Sequence, residues 1–92
     1  MTTFITRVEL HGARYTDYET LHAAMAQAGF RRNVLGSDGK WYQLPTAEYA
    51  IDTANNASSV RDTAKRAANA TGCSSWVIAI QADVMAWYLQ AA

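Results

Sequence analysis

From Thr3 to Leu10 the chain alternates, with Phe4, Thr6, Val8 and Leu10 on one side and Ile5, Arg7 and Glu9 on the other. A period of two with β-branched residues predicts a strand with one buried face, closed by His11-Gly12-Ala13. The period then changes. Thr16 followed by Glu19 reads as a capping box, and Tyr18, Leu21, Ala24, Met25 and Ala28 recur at spacings of three and four. That stripe predicts an amphipathic helix, stopped by Gly29 in a left-handed cap with Phe30 folding back on the last turn.

Two short segments, Arg32 to Leu35 and Lys40 to Leu44, flank Gly36-Ser37-Asp38-Gly39, whose glycines allow the positive φ angles of a tight hairpin. Pro45 lacks a ladder donor and marks a bulge or an edge. Tyr49 and Ile51 suggest that extended chain resumes before Asp52, and Asn55-Asn56-Ala57-Ser58 reads as a loop. A second helix is expected from Ser59, paired with Asp62 as its cap, with Val60, Ala64, Ala67, Ala68 and Thr71 as its stripe and Gly72 as its end. Alanine dominates that stripe, so the helix can lie close to what it covers. A last strand is expected over Trp76 to Ala82. Asp83 to Leu89 fits either a helix turn or another strand.

The order strand, helix, strand, strand, helix, strand, with short right-handed connections, gives a ferredoxin-like βαββαβ plan. The expected α+β architecture is a single domain over residues 1–92. It holds one four-stranded antiparallel sheet, two helices on one face, and a short C-terminal segment. A strand with one wet face should alternate in polarity. The first does; the last does not, since Trp76, Ile78 and Ile80 share one face while Val77 and Ala79 share the other. Something besides the helices should cover that second apolar face. Self-association through Trp76, Ile78, Ile80 and Trp87, with a homodimer as its product, is one expectation. The C-terminal segment folding over its own sheet is another, and a flexible ligand such as single-stranded RNA a third.

Composition narrows the function without naming it. Eight Lys+Arg balance eight Asp+Glu for a formal charge of zero, which argues against a strong, sequence-indifferent polyanion binder. Half of the 92 residues are hydrophobic, which argues against disorder. One cysteine, Cys73, excludes an intrachain disulfide, so a stapled secreted scaffold is not expected. The N-terminal residues lack a basic segment followed by an apolar run, and Trp76 to Leu89 is broken by Gln81 and Asp83. A cytoplasmic protein without a membrane span is the expectation, and the sequons at Asn56 and Asn69 carry no weight there.

No phosphate loop, Cys-X-X-Cys pair or His-Glu-X-X-His helix is present. His11 and His22 stand far apart, so no metal site and no cofactor are expected. A lone Cys73 after Gly72 reads as a small packed side chain. Acid–base chemistry has better candidates, because Glu9 and His11 at the end of the first strand share a face with Arg7. A ribonuclease needs a base, an acid and a cation, and Glu9, His11 and Arg7 or Arg14 supply those types. The same residues also read as an ordinary solvated ion pair. Arg31, Arg32, Lys40, Trp41 and Tyr42 around the hairpin have the cation-and-aromatic character of an RNA-binding surface, and equally of a packed hairpin with solvated arginines.

The stretches Phe4-Ile5-Thr6-Arg7-Val8-Glu9-Leu10-His11 and Tyr42-Gln43-Leu44-Pro45-Thr46-Ala47-Glu48-Tyr49, with the order of elements, resemble a family. The chain is similar to the small bacterial proteins grouped with GhoS, the antitoxin of type V toxin–antitoxin systems. That group looks like small CRISPR-associated nucleases of ferredoxin-like fold. The resemblance implies a cytosolic RNA-binding antitoxin, and an endoribonuclease that cleaves the messenger of a membrane-lytic toxin. The CRISPR-associated nucleases carry an aspartate at the end of the first strand, where this chain reads Glu9-Leu10-His11-Gly12. The alternative is a non-catalytic interaction module that dimerises, or binds a protein, through its open sheet.

Overall fold

The computed structural model describes residues 1–92. Strand β1 (Thr2–Leu10) is followed by helix α1 (Tyr15–Gln27), a hairpin of β2 (Asn33–Leu35) and β3 (Trp41–Gln43), strand β4 (Glu48–Thr53), helix α2 (Ala57–Asn69) and strand β5 (Ser75–Gln81). β1 is the central strand, antiparallel to β4 on one side and to β5 on the other. Both helices lie over one face of that sheet. Phe4, Val8 and Leu10 of β1 are buried there with Leu21 and Met25 of α1 and Val60, Ala64, Ala67 and Ala68 of α2.

The expected single four-stranded sheet is replaced by a three-stranded sheet, β4-β1-β5, and a separate two-stranded hairpin, β2-β3. The long neighbour of β1 is Glu48–Thr53, not the Lys40–Leu44 segment. Burial gives the reason. Tyr49 and Ala50 of β4 are shielded on opposite faces, whereas Trp41 and Gln43 of β3 are exposed and would waste a central position. Between them Pro45, Thr46 and Ala47 make a turn closed by the Glu48 N–H donating to Pro45 O at 3.0 Å, with Ala47 at φ 68°. That left-handed residue swings the chain out of the hairpin plane. The hairpin segment keeps a main-chain tie to the sheet, a reciprocal bridge in which Arg31 and Ala50 exchange bonds of 2.8 Å.

The helix ends also differ in detail. α1 begins one residue before the expected cap: Asp17, at the third helical position, accepts the Arg14 N–H at 2.9 Å, so Thr16 and Glu19 do not form the box. At the other end Gly29 adopts φ 97°, and Phe30 N–H donates to Met25 O at 3.0 Å, the expected back-folded cap. α2 is capped by Asn56, whose Oδ1 accepts the Ser59 N–H at 2.9 Å, so Ser59 is the capped residue and not the cap.

The C-terminal segment is neither helix nor regular strand. It leaves β5 at the sheet edge, where Ala82 N–H donates to Thr3 O at 2.9 Å. It ends against the hairpin, where Gln43 N–H donates to Gln90 O at 2.9 Å and Ala92 N–H to Trp41 O at 3.0 Å. Between those anchors it crosses the open face as a strap. Trp87 and Leu89 pack with Ile5 and Tyr42 against a small second cluster of Val34, Leu44 and Ala50. The tail thus covers part of its own sheet, and Trp87 spends its surface inside the chain, its ring 5.7 Å from that of Tyr42.

Candidate functional site on the open sheet face

Outward residues of β1 and β5 alternate with the buried ones, so the pairing register decides which of them meet. Glu9 lies opposite Trp76 and Arg7 opposite Ile78. At the strand end His11 N–H donates to Ser74 O at 2.9 Å, which brings the Ser74 side chain beside the imidazole. Glu9 Oε1 lies 3.0 Å from His11 Nε2, and Ser74 Oγ lies 3.3 Å from His11 Nδ1. A carboxylate only accepts, so Nε2 carries the proton shared with Glu9, while the serine hydroxyl, able to donate or accept, meets Nδ1 in either ring state. Trp76 stands edge-on to the imidazole, centroids 4.5 Å apart at 85°. Trp76 is 71% exposed, a bare aromatic residue next to the carboxylate–imidazole pair.

Arg7 sits on the same face without an ion pair. With Glu9, Trp76 and Ile78 it lines a shallow depression of about 200 Å³. The three residues singled out for acid–base chemistry therefore share one surface. Arg14 does not join them: its guanidinium lies 4.0 Å from Asp17 at the start of α1. Sequence reasoning missed Ser74 and the placing of Trp76 beside His11. Both follow from the β1–β5 register, which no periodicity within either strand reveals.

The hairpin residues are divided. Arg31 pairs with Asp52 at 3.0 Å, donates to Asn33 O, and lies 5.9 Å over the Trp41 ring. Thr3 and Arg31 together hold the Asp52 carboxyl below its ordinary pKa, the Thr3 hydroxyl contributing most. Lys40 is exposed beside Trp41, which is 45% exposed. Tyr42 is committed elsewhere, its hydroxyl donating to Asp38 and its ring against Trp87. Arg32 turns away from this group. Its charge reaches His22 and Tyr49 under α1, and its Nε is buried without a partner. Of the five residues, Arg31, Lys40 and Trp41 form the hairpin's accessible cation–aromatic surface.

His22 is a packed histidine: its Nδ1 lies 2.6 Å from the hydroxyl of Tyr49. Burial, then the Arg32 charge, lowers its pKa, while burial pushes the Tyr49 phenol up to about 12. Neutral histidine accepting from neutral tyrosine is the consistent state. Cys73 is half-buried after Gly72 and packs against the main core. No three His, Cys, Asp or Glu side chains converge as metal ligands, and no helix is long and apolar enough to cross a membrane. Under the strap a largely apolar cavity of about 520 Å³ opens between Ile5, Leu44, Ile80, Met85 and Trp87. No protein-family model matches the chain, and no curated protein does.

Proposed function

We propose that the open sheet face binds single-stranded RNA and cleaves it without a metal ion, as an antitoxin of the GhoS-like kind acting on a toxin messenger. The observation that carries this reading is the Glu9–His11 pair at 3.0 Å, flanked by an exposed Trp76 and an unpaired Arg7. Trp76 offers a nucleobase a stacking surface, a sequence-tolerant contact that needs no large net charge. Glu9 takes the proton of a ribose 2′-hydroxyl as its oxygen attacks the adjacent phosphorus. Protonated His11 gives its proton to the departing 5′-oxygen, and a 2′,3′-cyclic phosphate remains. Arg7 offsets the charge gathering on the phosphorane oxygens. The cytoplasmic setting and the toxin messenger come from the family resemblance.

A mixed RNA pool incubated with purified protein, with and without EDTA, tests the reading. Cleavage should persist in EDTA, and Glu9→Gln or His11→Asn should each lower it by about 100-fold or more. Trp76→Ala should weaken retention of RNA in a binding gel. Intact RNA together with no gel shift removes the proposal. A second reading is a non-catalytic module that self-associates, favoured by Ile78 and Ile80 remaining 55% and 53% exposed beside Trp76. Under it, Glu9→Gln and His11→Asn leave association unchanged.

A further inference from the structure

β5 is an edge strand, because the sheet order is β4-β1-β5. In an antiparallel pair, main-chain groups point toward the partner at alternate residues only. The ladder with β1 uses the even-numbered positions, as its two ends show: His11 N–H donates to Ser74 O, and Ala82 N–H donates to Thr3 O, both at 2.9 Å. The N–H and C=O groups of Ser75, Val77, Ala79 and Gln81 therefore face outward. Lys65 occupies one end, its Nζ donating to Ser75 O at 2.9 Å and to Ser75 Oγ at 2.8 Å. Nothing comparable caps Val77 or Ala79. From Ser75 to Gln81 the strand carries no charge and no proline, the devices that usually keep an edge from pairing.

We infer that this edge pairs with the same edge of a second copy of the chain, antiparallel and centred on Ile78. Three nearby registers keep the odd-numbered groups facing one another. Only the one centred on Ile78 sets Trp76 against the partner's Ile80, Ile78 against the partner's Ile78, and Val77 against the partner's Ala79. One step either way leaves Ile80 facing the partner's Ser74, or Trp76 facing the partner's Ala82. Cross-strand matches of this kind stabilise a ladder. Shallow grooves of about 220 Å³ and 410 Å³ run between α2 and this edge, sharing Arg61 and Val77 in their walls, with Asp62 in the larger. Arg61 and Asp62 on that rim pair with each other, Nη2 2.9 Å from Oδ1, so the charges beside the edge are already balanced within each copy. The product is one six-stranded sheet, β4-β1-β5-β5-β1-β4, whose open face gains no cover beyond the two straps and carries two Glu9–His11 pairs.

This pairing rests on the self-association reading and is independent of the RNA reading, since the joined edges leave the face free. Sedimentation velocity of the full chain without RNA, across the micromolar range, tests it. The expected species has twice the 10.1 kDa chain mass, with amide exchange at Val77 and Ala79 slowing as concentration rises. Ala79→Pro removes an outward N–H and leaves the β1 ladder intact, while Ile78→Glu sets two carboxylates at the dyad. Each should weaken the dimer about tenfold or more with unchanged far-ultraviolet circular dichroism. If Ala79→Pro fails to fold, the exposed Ile78→Glu decides alone. A 10.1 kDa species at every concentration overturns the inference. So does a dimer that Ile78→Glu leaves intact, because its interface then lies elsewhere. Either result leaves the RNA cleavage experiment standing.

Discussion

The two faces of the sheet are built by different means. Under the helices, Phe4, Val8, Leu21, Met25 and Tyr49 are closed off almost completely and belong to one continuous cluster. On the other face a cluster of only three buried residues joins Val34 and Leu44 of the hairpin arms to Ala50 of β4, beside an irregular strap. The strap is held by main-chain bonds at its ends, and its Val84 and Tyr88 side chains stand in solvent. A helix satisfies its own backbone and can spend its side chains on packing; a strap without a ladder cannot do both. The closed face therefore supplies stability, and the partly open one is left with groups that can meet something else.

That division is tested first by truncation on each side. Phe4→Ala should cost about 3–5 kcal/mol, a large part of the stability of a small domain. Trp87→Ala, which removes a half-buried ring, should cost only about 1–2 kcal/mol; urea denaturation measures both. Equal costs would mean that the strap is as much a part of the core as the helices. A smaller effect of opposite sign is expected at Thr6, whose buried Oγ1 has no partner. Thr6→Val keeps the shape, removes the unsatisfied hydroxyl, and should raise stability by about 1 kcal/mol. The smallest effect is pH-dependent. His22 has its folded pKa lowered below the ordinary 6.5, so the unfolded chain binds the proton more readily. Its contribution is fully present above 6.5 and is lost as pH falls from there through the lowered folded value. Thermal unfolding should show that slope in the native chain and a flatter one in His22→Gln.

Much of this was readable from the residues. The alternation of β1 placed Phe4, Thr6, Val8 and Leu10 inward, and the alanine stripe of α2 named its buried face. The doubly apolar character of β5 announced a face needing cover. The hairpin was legible as a hairpin, but its detachment was not. Two three-residue strands look like sheet strands until Tyr49 and Ala50 are seen to need burial on both sides. Caps slipped because Asp17 takes the third-position role expected of Glu19, and Asn56 the cap role expected of Ser59, and only backbone geometry chooses between residues so close in the chain. At the site, Glu9 in β1 and His11 just past its end are two apart, so continuing the alternation joins them. Ser74 is 63 positions away from His11, and nothing local links them.

Ala64 and Ala68 of α2 touch the sheet through single methyl groups and leave no solvent access. The spacing between helix and sheet is therefore set by backbone, with no rotamer left to absorb a change. Any larger residue there must push the whole helix outward, and with it Arg61 and Lys65 along the β5 edge. A saturation library should split sharply along α2, permissive at Arg61 and Arg66 and nearly closed at Ala64 and Ala68. Evolution can recolour the outer side of this helix freely while its inner side stays at the size of a methyl.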